Sequence, residues 1–266
     1  MKKHIFKMEC IENMHVGSGE VNYNLIDNEV QRDTLLSYLP VIHSSSMKGA
    51  LKSHFKAAGR WDKGIKEADG EQVFGYQQKD CKNILKSYEG EYKFFTAKML
   101  FRPLRVTCGN APYVLATDIH ILRDFSDFLS LLGISSFYEY STELNGIGEN
   151  EFWVSEKSEI YKIEDAKASK QNSSKAFSQL EKLMGCEIAI TKSLEDFELP
   201  TIARNNIENK NLWYEEIVPR KSIFYFAIIT PQDECKLNFK ASEPVQLGAN
   251  ATIGQGYTLI TSWGGF

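Results

Sequence analysis

The stretch KSIFYFAIIT, residues 221–230, places seven apolar residues in a row after Ser222. A short, unbroken apolar run that is rich in branched and aromatic side chains is typical of a strand covered on both faces. Residues 221–230 are therefore predicted to form the central strand of a sheet, and the remaining elements are interpreted around it.

Three other segments predict strands of the same sheet. Residues 4–14 alternate, with four apolar side chains on one face and polar ones on the other, as in a half-buried strand. Residues 92–106, YKFFTAKMLFRPLRV, have the composition of a strand, and Pro103 limits it to an edge or an end. Residues 245–263, VQLGANATIGQGYTLITSW, predict a glycine-rich turn and a last strand.

Two segments predict helices. Residues 44–59, SSSMKGALKSHFKAAG, carry apolar residues at helical spacing, with serines able to cap the start and Gly59 suited to the stop. Residues 124–133, DFSDFLSLLG, predict a second helix with an Asp or Ser cap and a glycine stop. Residues 62–90 are interpreted as loops with a short helix, and residues 165–179, DAKASKQNSSKAFSQ, as a mobile linker.

This order of elements lacks a strict alternation of strand and helix, a G-x-G-x-x-G motif and a P-loop lysine. It indicates an α+β protein with an antiparallel sheet and helices on one side. The expected core is ferredoxin-like or RRM-like, with long inserted segments accounting for the length.

Composition narrows the class of protein. The chain has 266 residues, 42% of them apolar and 25% charged, which are ordinary values for a globular protein. It contains no run of about 18 apolar residues and does not begin with a secretory signal, so we expect no membrane partner and a cytoplasmic location. Its five cysteines are widely spaced and show no CxxC pair, which argues against disulfides and zinc.

The charge is unevenly distributed. The net charge of −4 does not favour binding to nucleic acid. Residues 44–61, however, contain no acidic residue and carry four cations at intervals of four residues: Lys48, Lys52, Lys56 and Arg60. On a helix these cations form one ridge, and the first turn of the helix offers serine hydroxyls and N–H groups to a phosphate. An ordinary solvated helix face is the alternative.

Several further residues have the chemistry of a catalytic or binding site. Asp27 follows the glycine turn HVGSG and could hold a metal ion, take a proton or be a plain surface charge. His15, just before these glycines, could donate to phosphate or be structural. Gly254 and Gly256 flank Gln255 in a turn that could present amides to a phosphate or be a simple hairpin.

The segment NLWYEEIVPR, residues 211–220, also has two interpretations. Glu215 and Glu216 could supply further carboxylates to a metal near Asp27. Trp213 and Tyr214 could stack on a base, or they could be core aromatics.

The combination resembles a known family. MHVGSG, an aspartate, VQRD and then LPVIHSSSMKGALKSHF resemble the start of RAMP superfamily proteins of type III CRISPR systems. The likeness is strongest to the repeated backbone subunit of the type III-B, or Cmr, effector complex, and the order of the segments carries it. The chain departs from the family's pattern at His43-Ser44, where Pro-Gly is usual, and at Gln255, where a basic residue is common.

The resemblance implies one RAMP domain over 1–266: an RRM-like palm, an insert at about 139–180 with a mobile segment, and a β-hairpin thumb in the distal region at about 190–218. It implies partners: CRISPR RNA, target RNA, copies of the chain stacked head to tail, and other effector subunits. It further implies a divalent-metal-dependent endoribonuclease, with Mg²⁺ or Mn²⁺ as cofactor, that cuts target RNA at regular intervals.

The family's catalytic aspartate matches Asp27, and the resemblance makes His15 an RNA contact and the second catalytic residue beside it. Metal ligands would be Asp27, Glu215 and Glu216. The RNA-binding residues would be Ser45, Ser46, Lys48, Lys52, Gly254, Gln255 and Gly256. Three alternatives remain: a scaffold subunit that does not cut, a RAMP nuclease that processes precursor CRISPR RNA, and an α+β protein unrelated to RNA.

Overall fold

The computed structural model divides the chain into two compact units. It describes residues 1–19, 26–57, 67–79, 85–134, 144–171, 175–206, 211–231, 235–240 and 242–264. The first unit comprises Met1–Lys98, Pro200–Val218 and Phe224–Gly264, and the second comprises Met99–Leu199 and Pro219–Ile223. The structure confirms the α+β class. The predicted single-domain organisation, with its insert and distal region, stays a prediction.

The sheet of the first unit contains the predicted central strand. Its strands run in the order β15 (Val245–Gln246), β16 (Tyr257–Ser262), β1 (Lys2–Cys10) and β14 (Ile223–Thr230). The pairings of β16 with β15 and with β1 are antiparallel. Strand β5 (Lys93–Phe94) pairs with β14, and β2 (Val41–Ile42) pairs with the first residues of β6 (Ala97–Gly109).

The apolar pattern explains the core of this unit. Within β14, every residue except Ile229 is buried, as expected for a central strand. In the alternating N-terminal segment, the predicted inner face is buried: Phe6, Met8, Cys10 and Met14. The rings of Phe6 and Phe226 stack with their centroids 5.2 Å apart. Burial of one such ring contributes about 1.5–3 kcal/mol.

Helix α1 (Ser44–Ala57) confirms the predicted lysine-bearing helix. Its apolar stripe of Met47, Leu51 and Phe55 is buried, because these positions return to one face of the helix. The predicted glycine stop and Arg60 lie outside the described residues.

Two antiparallel hairpins complete the first unit. Hairpin β3–β4 (Gly75–Lys79 and Leu85–Glu89) follows helix α2 (Glu67–Phe74), where the sequence predicted loops with a short helix. Hairpin β12–β13 (Thr201–Asn206 and Asn211–Glu216) falls within the distal region at about 190–218. Residues 80–84 and 207–210, between the strands of each hairpin, are not described.

The second unit is built on a closed ring of six strands. The order is β6, β7 (Tyr113–Asp118), β11 (Ile188–Thr191), β8 (Glu151–Ser155), β10 (Ala166–Gln171) and β9 (Ile160–Ile163), and β9 pairs back onto β6. Helix α3 (Ile119–Leu131) follows β7 and helix α4 (Lys175–Met184) follows β10. Asp118 caps α3 by accepting from the amides of His120 and Ile121, so this helix begins earlier than predicted.

Three predictions fail in this unit. The sheet is not wholly antiparallel, because β11 runs parallel to β7 and β10 parallel to β8, each pair being joined by a long connection that allows the crossover. Pro103 lies inside β6, opposite Leu115, rather than at an edge or end; β9 joins the ladder only from Val106 onward. The linker predicted at 165–179 includes strand β10 and the start of α4, since small inward residues, Ala166 and Ala168, gave no apolar signal.

Within the part of the chain that the structure describes, no helix is both long and apolar enough to cross a membrane.

Candidate functional site

Asp27 is an exposed carboxylate held by strand β13. The backbone amide of Tyr214 donates to Oδ2 of Asp27 at 2.8 Å, and the amide of Asp27 donates to the Tyr214 carbonyl oxygen at 3.1 Å. One residue on, the amide of Glu216 donates to the carbonyl oxygen of Asn28 at 2.9 Å. Oδ1 of Asp27 has no hydrogen-bond partner among the described residues, so this oxygen can act on a bound molecule.

Gln31 connects the Asp27 segment to the start of helix α1. Its amide nitrogen donates to the Gly17 carbonyl oxygen at 3.2 Å and to Oγ of Ser46 at 3.1 Å. Its amide oxygen accepts from the backbone N–H of His43 at 2.8 Å. Because Ser46 Oγ already accepts from Gln31, its hydroxyl proton is left to donate to another group.

The start of α1 has the chemistry of an anion site. Ser45 is exposed, Ser46 and Lys48 are half-buried, and no acid lies in the first turn of the helix. The first backbone N–H groups of a helix lack intrahelical acceptors and attract phosphate. The structure gives Lys48 no hydrogen bond or ion pair with any described residue, so its ammonium group can add to this attraction.

Lys52, one turn further along, is already engaged. Its Nζ donates to the Gly75 carbonyl oxygen at 2.9 Å, at the first residue of hairpin β3–β4. A positive φ of 77° at Gly75 marks the turn from α2 into this hairpin. Lys52 therefore ties α1 to hairpin β3–β4, and its predicted contact with RNA stays a prediction.

The C-terminal glycine-rich loop, defined as residues 248–256, packs onto the segment that carries His15. The amide of Ala249 donates to the His15 carbonyl oxygen at 2.9 Å, and the amide of Gly256 donates to that of Asn13 at 2.8 Å. Gly248 and Gly256 have φ of 78° and 79°, and a Cβ on them would strike the carbonyl oxygens of His15 and Leu247. The loop therefore requires glycine at both positions.

His15 is buried between this loop and strand β13. Its Nδ1 lies 2.7 Å from the carbonyl oxygen of Glu216, and its side chain is almost fully covered. A carbonyl oxygen can only accept, so Nδ1 carries a proton and donates it to this hydrogen bond. The hydrogen bond from His15 thus helps to hold strand β13 in place.

Glu216 is paired with Arg32. Oε1 of Glu216 accepts from Nη2 of Arg32, and Oε2 accepts from the backbone amide of Val30 at 3.1 Å. Both oxygens of this buried carboxylate are therefore occupied by groups from the strand-like segment that follows Asp27.

Glu215 has three donors. Oε1 accepts from Nε1 of Trp213 at 2.9 Å, while Oε2 accepts from Nε of Arg204 at 3.1 Å and from Nδ2 of Asn250 at 3.0 Å. Burial raises the pKa of Glu215, but these hydrogen bonds and the Arg204 charge outweigh it and hold the pKa below its ordinary value. Glu215 is ionised at neutral pH.

These contacts bear on the predicted metal ligands. To coordinate a metal, Glu215 and Glu216 would have to give up arginine partners, whereas no described residue bonds to Oδ1 of Asp27. Among the described residues, no group of three or more His, Cys, Asp or Glu side chains could hold a metal ion. Asp27 fits as a ligand and the two glutamates do not, as they are paired here.

The predicted residues therefore come together in one unit. Asp27 is bonded to Tyr214, the residue before Glu215. Glu215 is bonded to Asn250 of the glycine-rich loop, and Gln31 is bonded to Ser46 of α1. Gln255 is buried, and its side-chain oxygen accepts from Asn250 at 3.1 Å rather than pointing outward. Tyr214 is partly exposed, while Trp213 is half-buried.

Sequence reasoning missed four residues of this arrangement: Gln31, Arg32, Arg204 and Asn250. Asn250 gave a usable signal, since asparagine tolerates the left-handed conformation that its φ of 64° requires. The others are polar side chains whose partners lie far away in sequence, which periodicity does not reveal.

One unit of this mixed α+β protein therefore contains an anchored, exposed aspartate, a cationic helix start and a glycine-rich loop. A model of the RAMP superfamily matches residues 7–258. The chain belongs to the RAMP superfamily. One relative, the CRISPR system Cmr endoribonuclease Cmr4 of Pyrococcus furiosus, is 27% identical over 299 residues, covering 98% of this chain and 96% of that protein.

Solved structures share the fold. A chain of type III-B Cmr-beta bound to cognate target RNA superposes with a TM-score of 0.71 at 22% identity, covering 98% of this chain and 97% of that one. Oligomeric Cmr4 from Pyrococcus furiosus superposes with a TM-score of 0.67 at 22% identity, covering 99% and 98%. At this level of identity the likeness concerns the fold.

Proposed function

We propose that this chain is a CRISPR RNA-binding backbone subunit of a type III effector complex, acting in the cytoplasm, and that it cleaves target RNA endonucleolytically at regular intervals. The observation that carries the proposal is the exposed Asp27 carboxylate, which Tyr214 fixes in the same unit as the start of α1 and the glycine-rich loop. A near full-length relative that is a Cmr endoribonuclease supports the same activity.

In this proposal the partners are CRISPR RNA, target RNA, further copies of the chain stacked head to tail, and other effector subunits. The fold neighbours support these partners, since one is a type III-B complex with target RNA and another is oligomeric Cmr4. The first unit would provide the RRM-like palm, and hairpin β12–β13 would be the thumb. The exposed side chains of Leu212 and Tyr214 would then face the RNA.

The guide would lie along the start of α1 and the glycine-rich loop. Phosphate oxygens would accept from the serine hydroxyls, the first amides of α1 and Lys48. Such contacts read the backbone of the RNA and not its bases, which suits a subunit that must hold any guide.

The cleavage step uses the RNA's own nucleophile. The 2′-hydroxyl of the target gives its proton to Asp27, the 2′-oxygen forms a bond to phosphorus, and the bond from phosphorus to the 5′-oxygen breaks. The leaving 5′-oxygen takes a proton from water. The products are a 2′,3′-cyclic phosphate and a 5′-hydroxyl, and in-line alignment of the reacting atoms would supply much of the rate.

We further propose that the reaction depends on a divalent metal ion, Mg²⁺ or Mn²⁺. Asp27 would hold the ion through one lone pair of the oxygen that Tyr214 does not engage, and the second lone pair of that oxygen would accept the proton of the 2′-hydroxyl. When bound, the ion would stabilise negative charge on the phosphate. The role of Asp27 in fixing the 2′-hydroxyl does not depend on the identity of the ion.

The test is cleavage of end-labelled target RNA by the assembled complex, with Mg²⁺ or Mn²⁺ in one arm and a chelator in the other. We expect a ladder of evenly spaced products in the metal arm and intact target in the chelator. Intact target in both arms would identify a scaffold subunit that binds without cutting. Cutting of precursor CRISPR RNA by the isolated chain in chelator would identify a processing nuclease.

A further inference from the structure

The carboxylate of Glu215 joins three separate parts of the chain. Its donors come from β12 through Arg204, from β13 through Trp213, and from the glycine-rich loop through Asn250, all at 2.9–3.1 Å. Glu215 is only 7% exposed, so these bonds form in a largely dry environment where they are strong.

Asn250 is placed to transmit this contact to the loop. Its backbone is left-handed, with φ of 64°. Its side-chain nitrogen donates to Glu215 at 3.0 Å and to the side-chain oxygen of Gln255 at 3.1 Å. Its carbonyl oxygen accepts from the amide of Gln255 at 3.2 Å, which closes the turn. The conformation of residues 250–255 therefore depends on a residue of strand β13.

The same strand holds the carboxylate assigned to cleavage. Asp27 and Tyr214 each donate one hydrogen bond to the other, and Tyr214 is the residue before Glu215. The glycine-rich loop and Asp27 are thus fixed to adjacent residues of one strand.

We propose that Glu215 is a positioning residue that fastens the glycine-rich loop to the strand that holds Asp27, and so sets the position of the guide RNA relative to the cleaving carboxylate. The effect on RNA rests on the proposed function, whereas the fastening itself does not. This role replaces the metal-ligand role predicted from sequence, because both carboxylate oxygens are already bound to donors and Arg204 neutralises their charge.

Two substitutions break the contact from opposite sides. Glu215→Gln keeps the shape but leaves a single acceptor oxygen for Trp213, Arg204 and Asn250. Asn250→Gly removes the amide and retains a residue that readily adopts φ of 64°. Glu149→Gln is the matched control, because it removes the same charge from an exposed ion pair with Lys192.

The fastening is tested by amide hydrogen exchange of the full-length chain, free of RNA and in chelator. We expect the amides of Gln255 and Gly256 to exchange about tenfold faster in Glu215→Gln and in Asn250→Gly, and the double variant to add little to either. Glu149→Gln should exchange as the unmodified chain does. Unchanged exchange of the loop in both Glu215→Gln and Asn250→Gly would overturn the proposal.

The effect on RNA is tested in the assembled complex. Both variants should slow target cutting by a similar factor, about tenfold, and leave the metal concentration for half-maximal cutting unchanged. A shift of that concentration in Glu215→Gln alone would make Glu215 a metal ligand and overturn the positioning role. If the unmodified complex does not cut, the proposed function fails, while the exchange experiment still decides the fastening.

Discussion

Asp27 and Tyr214 exchange two hydrogen bonds, although 187 residues separate them: the amide of Tyr214 donates to Oδ2 of Asp27, and the amide of Asp27 donates to the Tyr214 carbonyl oxygen. One carboxylate oxygen is thereby fixed to the backbone of a hairpin strand, and the other has no hydrogen-bond partner in the part of the chain that the structure describes. A side chain with one anchored oxygen loses little further freedom when it meets a substrate, which favours catalysis by position.

Gln31 should matter for stability more than its place in a loop suggests. Gln31→Leu removes the three hydrogen bonds of this side chain, so we expect the free energy of unfolding to fall by about 1–3 kcal/mol. Urea denaturation followed by fluorescence would measure it. Asn110→Ala, which removes an exposed hydrogen bond to Glu159, serves as the control and should change stability little. Equal effects of the two substitutions would argue against Gln31 as a connecting residue.

The stability contributed by Glu215 should depend on pH. Its pKa in the folded chain lies below the ordinary 4.5, so its contribution is fully present above that value and is lost as the pH falls through the lower, folded pKa. The stability difference between the unmodified chain and Glu215→Gln should therefore be largest at pH 6 and should shrink below about pH 4.5. Denaturation at a series of pH values would measure this difference. A stability difference that does not change with pH would contradict the stabilising role of the ionised Glu215 carboxylate.

The two glycines around Gln255 should respond differently to alanine. Both have positive φ, but a Cβ on Gly254 would meet no atom within 4 Å, whereas one on Gly256 would strike the Leu247 carbonyl oxygen. Gly254→Ala should cost about 1 kcal/mol of backbone strain, and Gly256→Ala should cost more and weaken RNA binding. Thermal unfolding and filter binding of the two variants would compare them. Equal losses would mean that the loop can move away from Leu247.

Substitutions of Lys48 and Lys52 should have different effects on the salt dependence of RNA binding. If Lys48 contacts a phosphate, Lys48→Ala should lower the slope of log affinity against log salt by about 0.7, the value for one contact with a single strand. Lys52→Met should change the slope less, because its ammonium group is bound to Gly75, and should loosen the start of hairpin β3–β4 instead. A larger slope change for Lys52 would restore it as the main phosphate contact.

Much of the fold could be predicted from local patterns. The apolar run of β14, the alternation in β1 and the helical stripe of α1 are each set by side chains close in sequence, and the structure confirms them. The parallel pairings in the ring of strands were not predictable in the same way, because pairing is decided by long-range packing. Strand β10 was missed because its inward residues are two alanines, which carry little hydrophobic signal.

In the candidate site, too, the features set by local sequence could be predicted and the long-range contacts could not. Asp27, the serines of α1 and the glycines of the C-terminal loop came from motif order, and the structure brings them into one unit. The contacts that connect these residues could not be predicted from motifs, because the partners are far apart in sequence. Gln31 bonds to Ser46 across 15 residues, and Glu215 bonds to Asn250 across 35 residues. The charge pattern of α1 predicted a face that is either solvated or phosphate-binding. That pattern does not reveal the hydrogen bond from Lys52 to the Gly75 carbonyl oxygen.

The most direct measurement of the central claim is target cleavage by a complex assembled with Asp27→Asn. Asparagine keeps an oxygen that can accept from the Tyr214 amide, so the fold and RNA binding should survive, while the loss of the charge removes the base. We expect the rate of cutting to fall by at least about a hundredfold with unchanged affinity for target RNA. Undiminished cutting by this variant would contradict the assignment of catalysis to Asp27.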